Sequence, residues 1–523
     1  MAARPRVKER PFSSFGWSLT GALLIALSLP PLGFYPLAWV GLVPLLVRWS
    51  IRPPSLAYAR ELYALLLTTS CCVGFWVLFN PDASQAAQSG LSLFLVPLPL
   101  VAAFVLGGII KERYGLRLGL LGLITHVLAA EFLLLRSEAS IPWLLLGHTQ
   151  VGAVEFIQMA DLGGVTLLTA WVLLLNAAAF LVLPQSAKPG ERYGERGISV
   201  AFFTALIALP VAYGAVRTVQ ADVPQGHVRV GIVQPGMLPT EWAKQTPGDK
   251  VDYLASLSDN LLRRWTGLDT TASVQSAEGV GLLLWPQSSI ASLPTDEATQ
   301  QFYGQLQEWS EQRGVSLLAG ATTTTSPDIP FSKASSEESA LLFRPDRPMV
   351  RYTQGNGGER GAAPLTLRDS EVRIGTAFGS ESLHGDRLRQ TAADGADLIV
   401  ALSHDGRWGR SAGLYQNLQF TRLRAIESRR GVVMATVGGV SALIRPSGAI
   451  EEIAGLMEQG TTTIEVPTHE ASTFYVRYGD WLGRGALLFG LAFHAILFLL
   501  SHFVPEVIHG KKAHAPRRRP AFP

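Results

Sequence analysis

The sequence predicts an α/β sandwich domain layered by helices and held to a membrane by spans on both sides of it. Three observations predict this. Mean hydropathy is +0.24 and only 16% of residues are charged, against about 25% in an ordinary soluble chain. The apolar residues are packed into runs of about 17 to 20, long enough to cross a bilayer of roughly 30 Å. Seven apolar segments precede residue 218 and one follows residue 480. Between them, Thr218 to Asp480 is mostly polar, with short buried-strand runs alternating with amphipathic helical patterns. The expected organisation is a membrane domain over 1–217, an extracytoplasmic domain over 218–480, and an eighth span with a basic tail over 481–523.

The spans follow in order. MAARPRVKERP is a short basic tail without a small-residue cleavage site. Phe15 to Leu29 is the first span, and Pro30, Pro31 and Gly33 break it. Tyr35 to Val47 returns, so the first two spans form a tight hairpin. Leu62 to Phe79, Leu93 to Ile110 and Leu118 to Leu135 are the third to fifth spans. The stretch from Ser137 to Asp161 is too apolar for a loop and too broken for a span, and reads as interfacial or re-entrant. Leu162 to Leu183 and Ser199 to Ala215 follow, and Gly485 to Phe503 is the eighth.

Charge sets the expected orientation. Arg48, Arg52 and Arg60 lie in the second loop, Lys111, Arg113 and Arg117 in the fourth, and Lys188, Arg192 and Arg196 in the sixth. The odd loops hold few basic residues. The positive-inside rule then places both termini in the cytoplasm and the large domain outside. The tail HGKKAHAPRRRP fits a cytoplasmic end. The basic tails suit an anionic leaflet and need no nucleic acid to explain them.

Within the domain, HVRVGIVQP reads as a strand, Asp252 to Trp265 as a helix, and VGLLLWP as a buried strand ending at Trp285, Pro286 and Gln287. TDEATQQFYGQLQEWSEQRG is helical, and VSLLAGATT is a strand. SALLFRP and PMVRYT form a hairpin. EVRIGTAFG and ADLIVALSHD are strands on either side of a helix in GDRLRQTAADG. LYQNLQFTRLRAIESRR is a long helix, and GVVMATVGG with SALIRPSGAI a further strand pair. The only cysteines, Cys71 and Cys72, are adjacent in an apolar run, which argues against a disulfide framework and for membrane packing. The polar domain has none, so thiol chemistry and cysteine-ligated metals are excluded there. No metal-ligand cluster, cofactor motif or phosphate-cradling loop is expected.

Several pieces together resemble the apolipoprotein N-acyltransferase family. In the membrane part they are PPLGFYPLAWVGLVPLL and Ile141, Pro142, Trp143 and Gly147. In the domain they are VRVGIVQP, the strand ending at Trp285 and Pro286, SHDGRWG, Arg422, Arg424, Ala425 and Glu427, IRPSGAI and YVRYGDW. The resemblance implies a nitrilase-like α-β-β-α sandwich inserted between helices 7 and 8 of an eight-helix domain in a bacterial inner membrane. It also implies a cysteine that takes an acyl group from a phospholipid as a thioester, a glutamate base and an oxyanion-stabilising lysine. The acyl group then passes to the amine of a diacylglyceryl cysteine on a lipoprotein.

This chain departs from that pattern at each catalytic position. Gln287 stands for the glutamate, Gln354 for the lysine and Gly379 for the cysteine, while Glu381 stays in register. An amide matches a carboxylate in shape but cannot accept the proton. The glycine-rich GNGGERGAA replaces the apolar loop that shapes the family's pocket. Ser380 is the alternative nucleophile, with His384 and His404 the nearest candidate bases. A serine hydroxyl needs an oriented base, and a one-residue shift on a strand reverses the facing direction. A polar turn on a non-catalytic scaffold is therefore the expectation. Trp285, Glu381, His404, Asp405 and Glu427 are the candidate pocket residues. His404 and Asp405 suit structural hydrogen bonding, and Glu427 an arginine partner or the orientation of a loop. His148 and His494 lie in or near membrane segments. The expected partners are membrane lipids, lipoproteins or membrane proteins of a complex.

Overall fold

The computed structural model describes residues 11–79, 83–137, 144–183, 193–266, 281–291, 296–324, 336–353, 364–367 and 372–503. The basic terminal stretches, Ile141 to Trp143, Gln354 and the glycine-rich segment after it lie outside the described residues.

Apolar runs become helices here because a helix satisfies its own backbone groups where no water is available. The amino-terminal half comprises α1 (Pro11–Ser28), α2 (Ala38–Gly41), α3 (Val43–Ile51), α4 (Leu56–Gly74), α5 (Ala83–Leu95), α6 (Pro97–Tyr114), α7 (Leu116–Leu134), α8 (Val154–Ile157), α9 (Ala160–Val182) and α10 (Tyr193–Ala221). Among the described residues, five helical stretches are long and apolar enough to cross a membrane: Leu56–Phe79, Ser89–Tyr114, Leu116–Leu134, Ala160–Val182 and Gly197–Ala221. Shorter apolar helices at Gly16–Ser28, Tyr35–Ile51 and Trp481–Ile496 lie at the first, second and eighth expected spans. Helix α10 continues to Ala221, past the expected end at Ala215. The stretch expected to be re-entrant holds a short, buried 3-10 turn (Leu146–Gln150) and α8, which buries Phe156 and Ile157. His148 stacks there on Phe420, with ring centroids 4.1 Å apart.

The carboxy-terminal half adds β1 (Gly226–Gln234), α11 (Pro239–Trp242), α12 (Pro247–Thr266), β2 (Leu282–Ala291), α13 (Asp296–Arg313), β3 (Ser316–Thr324), β4 (Ser336–Arg344), β5 (Arg347–Thr353), β6 (Leu365–Thr366) and β7 (Arg373–Phe378). After these come α14 (Gly385–Ala393), β8 (Leu398–Ser403), α15 (Ala412–Ser428), β9 (Gly431–Thr436), β10 (Ser441–Ile444), β11 (Ile450–Ala454), β12 (Gly460–Thr468), α16 (Phe474–Tyr478) and α17 (Trp481–Phe503). The strands form two six-stranded sheets, ordered β12-β1-β2-β3-β4-β5 and β11-β10-β9-β8-β7-β6. β1, β2 and β3 run parallel, as do β7, β8 and β9. Strands β8 and β9 are buried along their whole length, as central parallel strands covered on both faces should be.

Side-chain alternation places the layers. Val230, Ile232, Leu284, Leu318, Val400, Leu402 and Val433 fill the space between the sheets. Leu254 and Leu261 of α12 and Leu306 of α13 cover the outer face of the first sheet through Leu283, Trp285 and Leu317. Leu388 of α14 and Leu418 and Ala425 of α15 cover the second through Ile399, Ala401 and Met434. The result is the expected nitrilase-like α-β-β-α sandwich. Strand β12 was not anticipated. It completes the first sheet by pairing antiparallel with β1, from Gly226 against Thr468 to Gln234 against Gly460.

Helix α15 is buried along most of its surface, with Tyr415 its one exposed residue. Its other side enters the membrane-domain core through Phe420, Leu423 and Ile426. Polar bonds tie the two halves together here. Trp76 Nε1 donates to Gln416 Oε1 (3.1 Å), and Gln416 Nε2 donates to Pro30 O (2.8 Å). Arg429, at the carboxy-terminal cap of α15, donates to Gln158 and Asp161.

Candidate active site

Two of the three expected catalytic positions fall on described residues, one at each sheet. β2 carries Trp285, Pro286 and Gln287, and β7 leads through Phe378 into Gly379. Trp285 is fully buried and its Nε1 donates to Ser258 Oγ on α12 (2.9 Å). The strand becomes irregular just beyond it. Pairing with β3 shifts register between Trp285 and Ile290, and Ser288 has φ +58°. Gly320 of β3 makes room for this, since a Cβ there would lie 2.5 Å from Gln287 Cα. Gln287 is only 5% exposed, and its Oε1 accepts no hydrogen bond among the described residues. Leaving such a group unmet costs about 1–3 kcal/mol.

Gly379 opens a 3-10 turn, Gly379–Leu383, with φ +21°. Its position holds neither thiol nor hydroxyl. The side chains around it brace the turn. Glu381 accepts the Phe378 N–H (3.1 Å). Ser382 Oγ lies 2.6 Å from Gly379 O and 3.1 Å from Asn417 Oδ1. Asn417 Nδ2 donates to Asp405 Oδ2 (2.7 Å), and Ser403 Oγ donates to the other Asp405 oxygen. Asp405 is thus joined through Asn417 and Ser382 to the backbone at Gly379. Tyr352, two residues before position 354, stacks on Phe378 with centroids 6.0 Å apart. The end of β5 therefore reaches the same place.

Burial pushes the Glu381 carboxyl up to about 7, against the pull of the Phe378 N–H and Arg387. Burial, then Glu381, pushes the Tyr352 phenol up to about 12. The sign for stability follows. Between about pH 4.3, the unfolded value, and about 7, folded Glu381 holds a proton that the unfolded chain releases. Its contribution to stability therefore rises as pH falls through that window. Glu381→Gln is expected to raise the apparent melting temperature at pH 8, by an amount equivalent to on the order of 1–3 kcal/mol. The difference from wild type should shrink towards pH 5. Melting curves in detergent at the two pH values check this, and a gap that widens at pH 5 refutes it.

The remaining candidates separate. The Ser380 side chain lies outside the described residues. His384 is held below the ordinary histidine range by burial and Arg424, with the Leu135 carbonyl as its hydrogen-bond partner. That contact directs it towards the end of α7. His404 precedes the 3-10 turn that carries Asp405 and is half-buried. Glu427 pairs with Arg424 at 3.0 Å, both side chains almost fully buried. Its surroundings are Val165 of α9, Asp386 and Asp480, and burial pushes it up to about 7. Helix α15 so divides its polar residues, with Asn417 at the Gly379 turn and Arg424, Glu427 and Arg429 towards the membrane helices. His494 Nε2 meets His126 Nε2 at 2.9 Å, linking α17 to α7. Asn417 and Ser382 were not singled out in the sequence, where an Asn within a helix and a Ser within Ser-Glu-Ser carry no distinguishing signal.

Known proteins share this organisation. Residues 21–178 match the family model of the apolipoprotein N-acyltransferase N-terminal domain, and residues 276–474 that of carbon-nitrogen hydrolase. The chain belongs to the apolipoprotein N-acyltransferase family. The apolipoprotein N-acyltransferase of Chlorobaculum tepidum is 23% identical, over 91% of this chain and 95% of that one. Those of Geobacter metallireducens and Gloeobacter violaceus are 24% and 27% identical, each over 90% of this chain and 92% of the relative. Among solved structures, an amidase from Nesterenkonia sp. matches with TM-score 0.34 and 16% identity, covering 51% of this chain and 99% of its own. A carbon-nitrogen hydrolase from Helicobacter pylori matches with TM-score 0.35 and 12% identity, covering 46% and 89%. As a member of the apolipoprotein N-acyltransferase family, the chain joins a carbon-nitrogen hydrolase domain to a set of apolar helices.

Proposed function

We propose that this chain is a catalytically inactive homologue of apolipoprotein N-acyltransferase. It acts as a structural, lipid- or lipoprotein-binding, or assembly subunit of a membrane complex. Gly379 carries this reading. Thioester formation needs a thiolate, and the domain has no cysteine from which one could come. The amide of Gln287 removes the base, and Gln354 removes the cation that would steady an oxyanion. The packed sandwich and the bonded turn at Gly379 support a retained scaffold. The basic loops and tail support a multi-pass protein of a bacterial inner membrane, with both termini cytoplasmic and the domain over 218–480 on the outer side.

The test uses the full-length chain in detergent with phospholipid labelled in its acyl chain. Mass spectrometry is expected to find no acyl-enzyme, and a diacylated lipopeptide should stay unmodified. An acyl adduct on Ser380 with transfer to the lipopeptide would instead establish an active enzyme with a displaced nucleophile. A chain that stays strictly monomeric and retains neither lipid nor lipoprotein on purification would remove the binding or assembly role.

A further inference from the structure

Three arginines gather where α16 meets α17, at the edge of the apolar helices nearest the domain. Arg389 of α14 donates through Nη1 to Val476 O (3.0 Å) and through Nε to Asp386 (2.7 Å). Arg484 of α17 donates through Nη2 to Tyr478 O and through Nε to Asp480 O. Both guanidiniums flank Gly479. A Cβ at that residue would lie 3.4 Å from Arg484 Nη2 and 3.5 Å from Arg389 Nε. Arg477 lies in the chain between Val476 and Tyr478 and is exposed, and among the described residues its guanidinium has no hydrogen-bond acceptor.

Capping the last turn of α16 accounts for part of this. It leaves Arg389 Nη2, Arg484 Nη1 and the whole of Arg477 unused. Two carboxylates, Asp386 beside Arg389 and Asp480 within electrostatic reach of Arg484, face more arginines than they can balance. Among the described residues, Asp386 is the carboxylate in contact, on Arg389. Asp480 is buried and turned inward, accepting from Thr166 Oγ1 (2.7 Å) and Gly483 N (2.8 Å). Arg136, at the end of α7, adds a further positive charge within electrostatic reach of Asp480. Arg389 and Arg484, held on either side of Gly479, repel unless an anion joins them.

The surroundings identify the anion's carrier. Phe474, Tyr478 and Trp481 are 47%, 49% and 42% exposed beside the arginines. Phe474 packs on both of the others, with centroids 4.4 and 6.1 Å away. Trp481 is pinned by its Nε1 to Leu162 O (2.9 Å). Exposed aromatics at the end of an apolar helix mark the headgroup level of a bilayer. Guanidinium groups there meet phosphate as a charge-assisted, bidentate partner. We propose that Arg389, Arg477 and Arg484, with Phe474, Tyr478 and Trp481, bind the phosphodiester of an anionic glycerophospholipid in the leaflet that faces the domain. None of these side chains is among those around Gln287 and Gly379, so the site stands whether or not the chain catalyses.

Native mass spectrometry of the full-length protein released from micelles tests this. The probes are phosphatidylglycerol, phosphatidylcholine and inorganic phosphate. Wild type is expected to retain phosphatidylglycerol at least ~10-fold more than phosphatidylcholine, about the discrimination that 1.4 kcal/mol provides. Arg477→Gln is expected to cut that retention several-fold without changing the melting temperature measured without lipid, because its guanidinium makes no internal hydrogen bond. Arg477→Gln with Arg484→Gln should fall to the phosphatidylcholine level. Equal retention of the two lipids by wild type, or wild-type retention by Arg477→Gln, overturns the site. Displacement of phosphatidylglycerol by millimolar phosphate overturns the lipid as its ligand.

Discussion

Gln287→Glu, Gln354→Lys and Gly379→Cys together are expected to restore a weak, phospholipid-dependent thioester on residue 379, where wild type forms none. The chemistry demands all three. The new thiol must lose its proton to residue 287, its sulfur must then attack the ester carbonyl, and the oxyanion that forms needs a cation. Groups acting as a unit are strongly non-additive. Gly379→Cys alone should therefore react about 10²–10⁴-fold more slowly than the triple variant, the range a positioned base contributes. Two costs keep the triple variant weak. Residue 379 has φ +21°, at the edge of the region where a Cβ is penalised by about 1 kcal/mol or more. The segment from Gly355 to Ala363 is glycine-rich and polar in sequence, so it supplies few apolar side chains with which to seat an acyl chain. The assay is thioester formation from labelled phospholipid, followed by transfer to a diacylated lipopeptide. Robust turnover by the triple variant would show that the pocket persists and that the glycine-rich segment does not limit it. Robust turnover by wild type would falsify the inactive reading.

Asp161→Asn is expected to lower stability by about 3–5 kcal/mol, the usual consequence of removing one partner from a buried charge network. Asp161 is 1% exposed and accepts five hydrogen bonds. Arg217 of α10 donates through Nε (2.9 Å) and Nη2 (2.7 Å), and Tyr213 through its hydroxyl (2.7 Å). Arg429 of the sandwich donates through Nε (3.1 Å) and Nη2 (2.8 Å). One carboxylate thus joins α9, α10 and the domain. Neutralising it leaves the Arg429 charge buried with only neutral acceptors, Gln158 and Pro446 O. The apparent melting temperature in detergent should fall by roughly 5–15 °C. Replacing Arg429 by Met in the same chain should recover part of the loss, because an apolar group of similar length needs no counter-charge. A variant that melts within a degree of wild type would remove the network from the account of how the two halves hold together.

The elements most legible in the sequence were those whose signal is local. Long apolar runs were readable as helices, VGLLLWP as a buried strand, and EVRIGTAFG and ADLIVALSHD as strands, because the pattern of a few neighbouring residues already carries that signal. The residue at position 379 was equally legible, since a glycine has no side chain in any fold. Boundaries were less legible. Helix α10 runs on to Ala221 because nothing in RTVQA breaks a helix. β2 continues through Gln287 to Ala291 because Gly320 lets its irregular stretch lie against β3.

What only the tertiary structure decided are the pairings between distant residues. Gly460–Thr468 becomes a strand because β1, more than two hundred residues earlier, offers it an open edge. Asp405 is linked to the Gly379 turn through Asn417 and Ser382. Glu427 finds Arg424 on its own helix, yet both are buried because α9 and α16 close over them. Asp161 and Arg429 meet across 268 positions. Composition and periodicity tell each segment which face to hide. Which charge or hydrogen-bond partner it finds depends on the chain closing loops of hundreds of residues, and no local pattern encodes that.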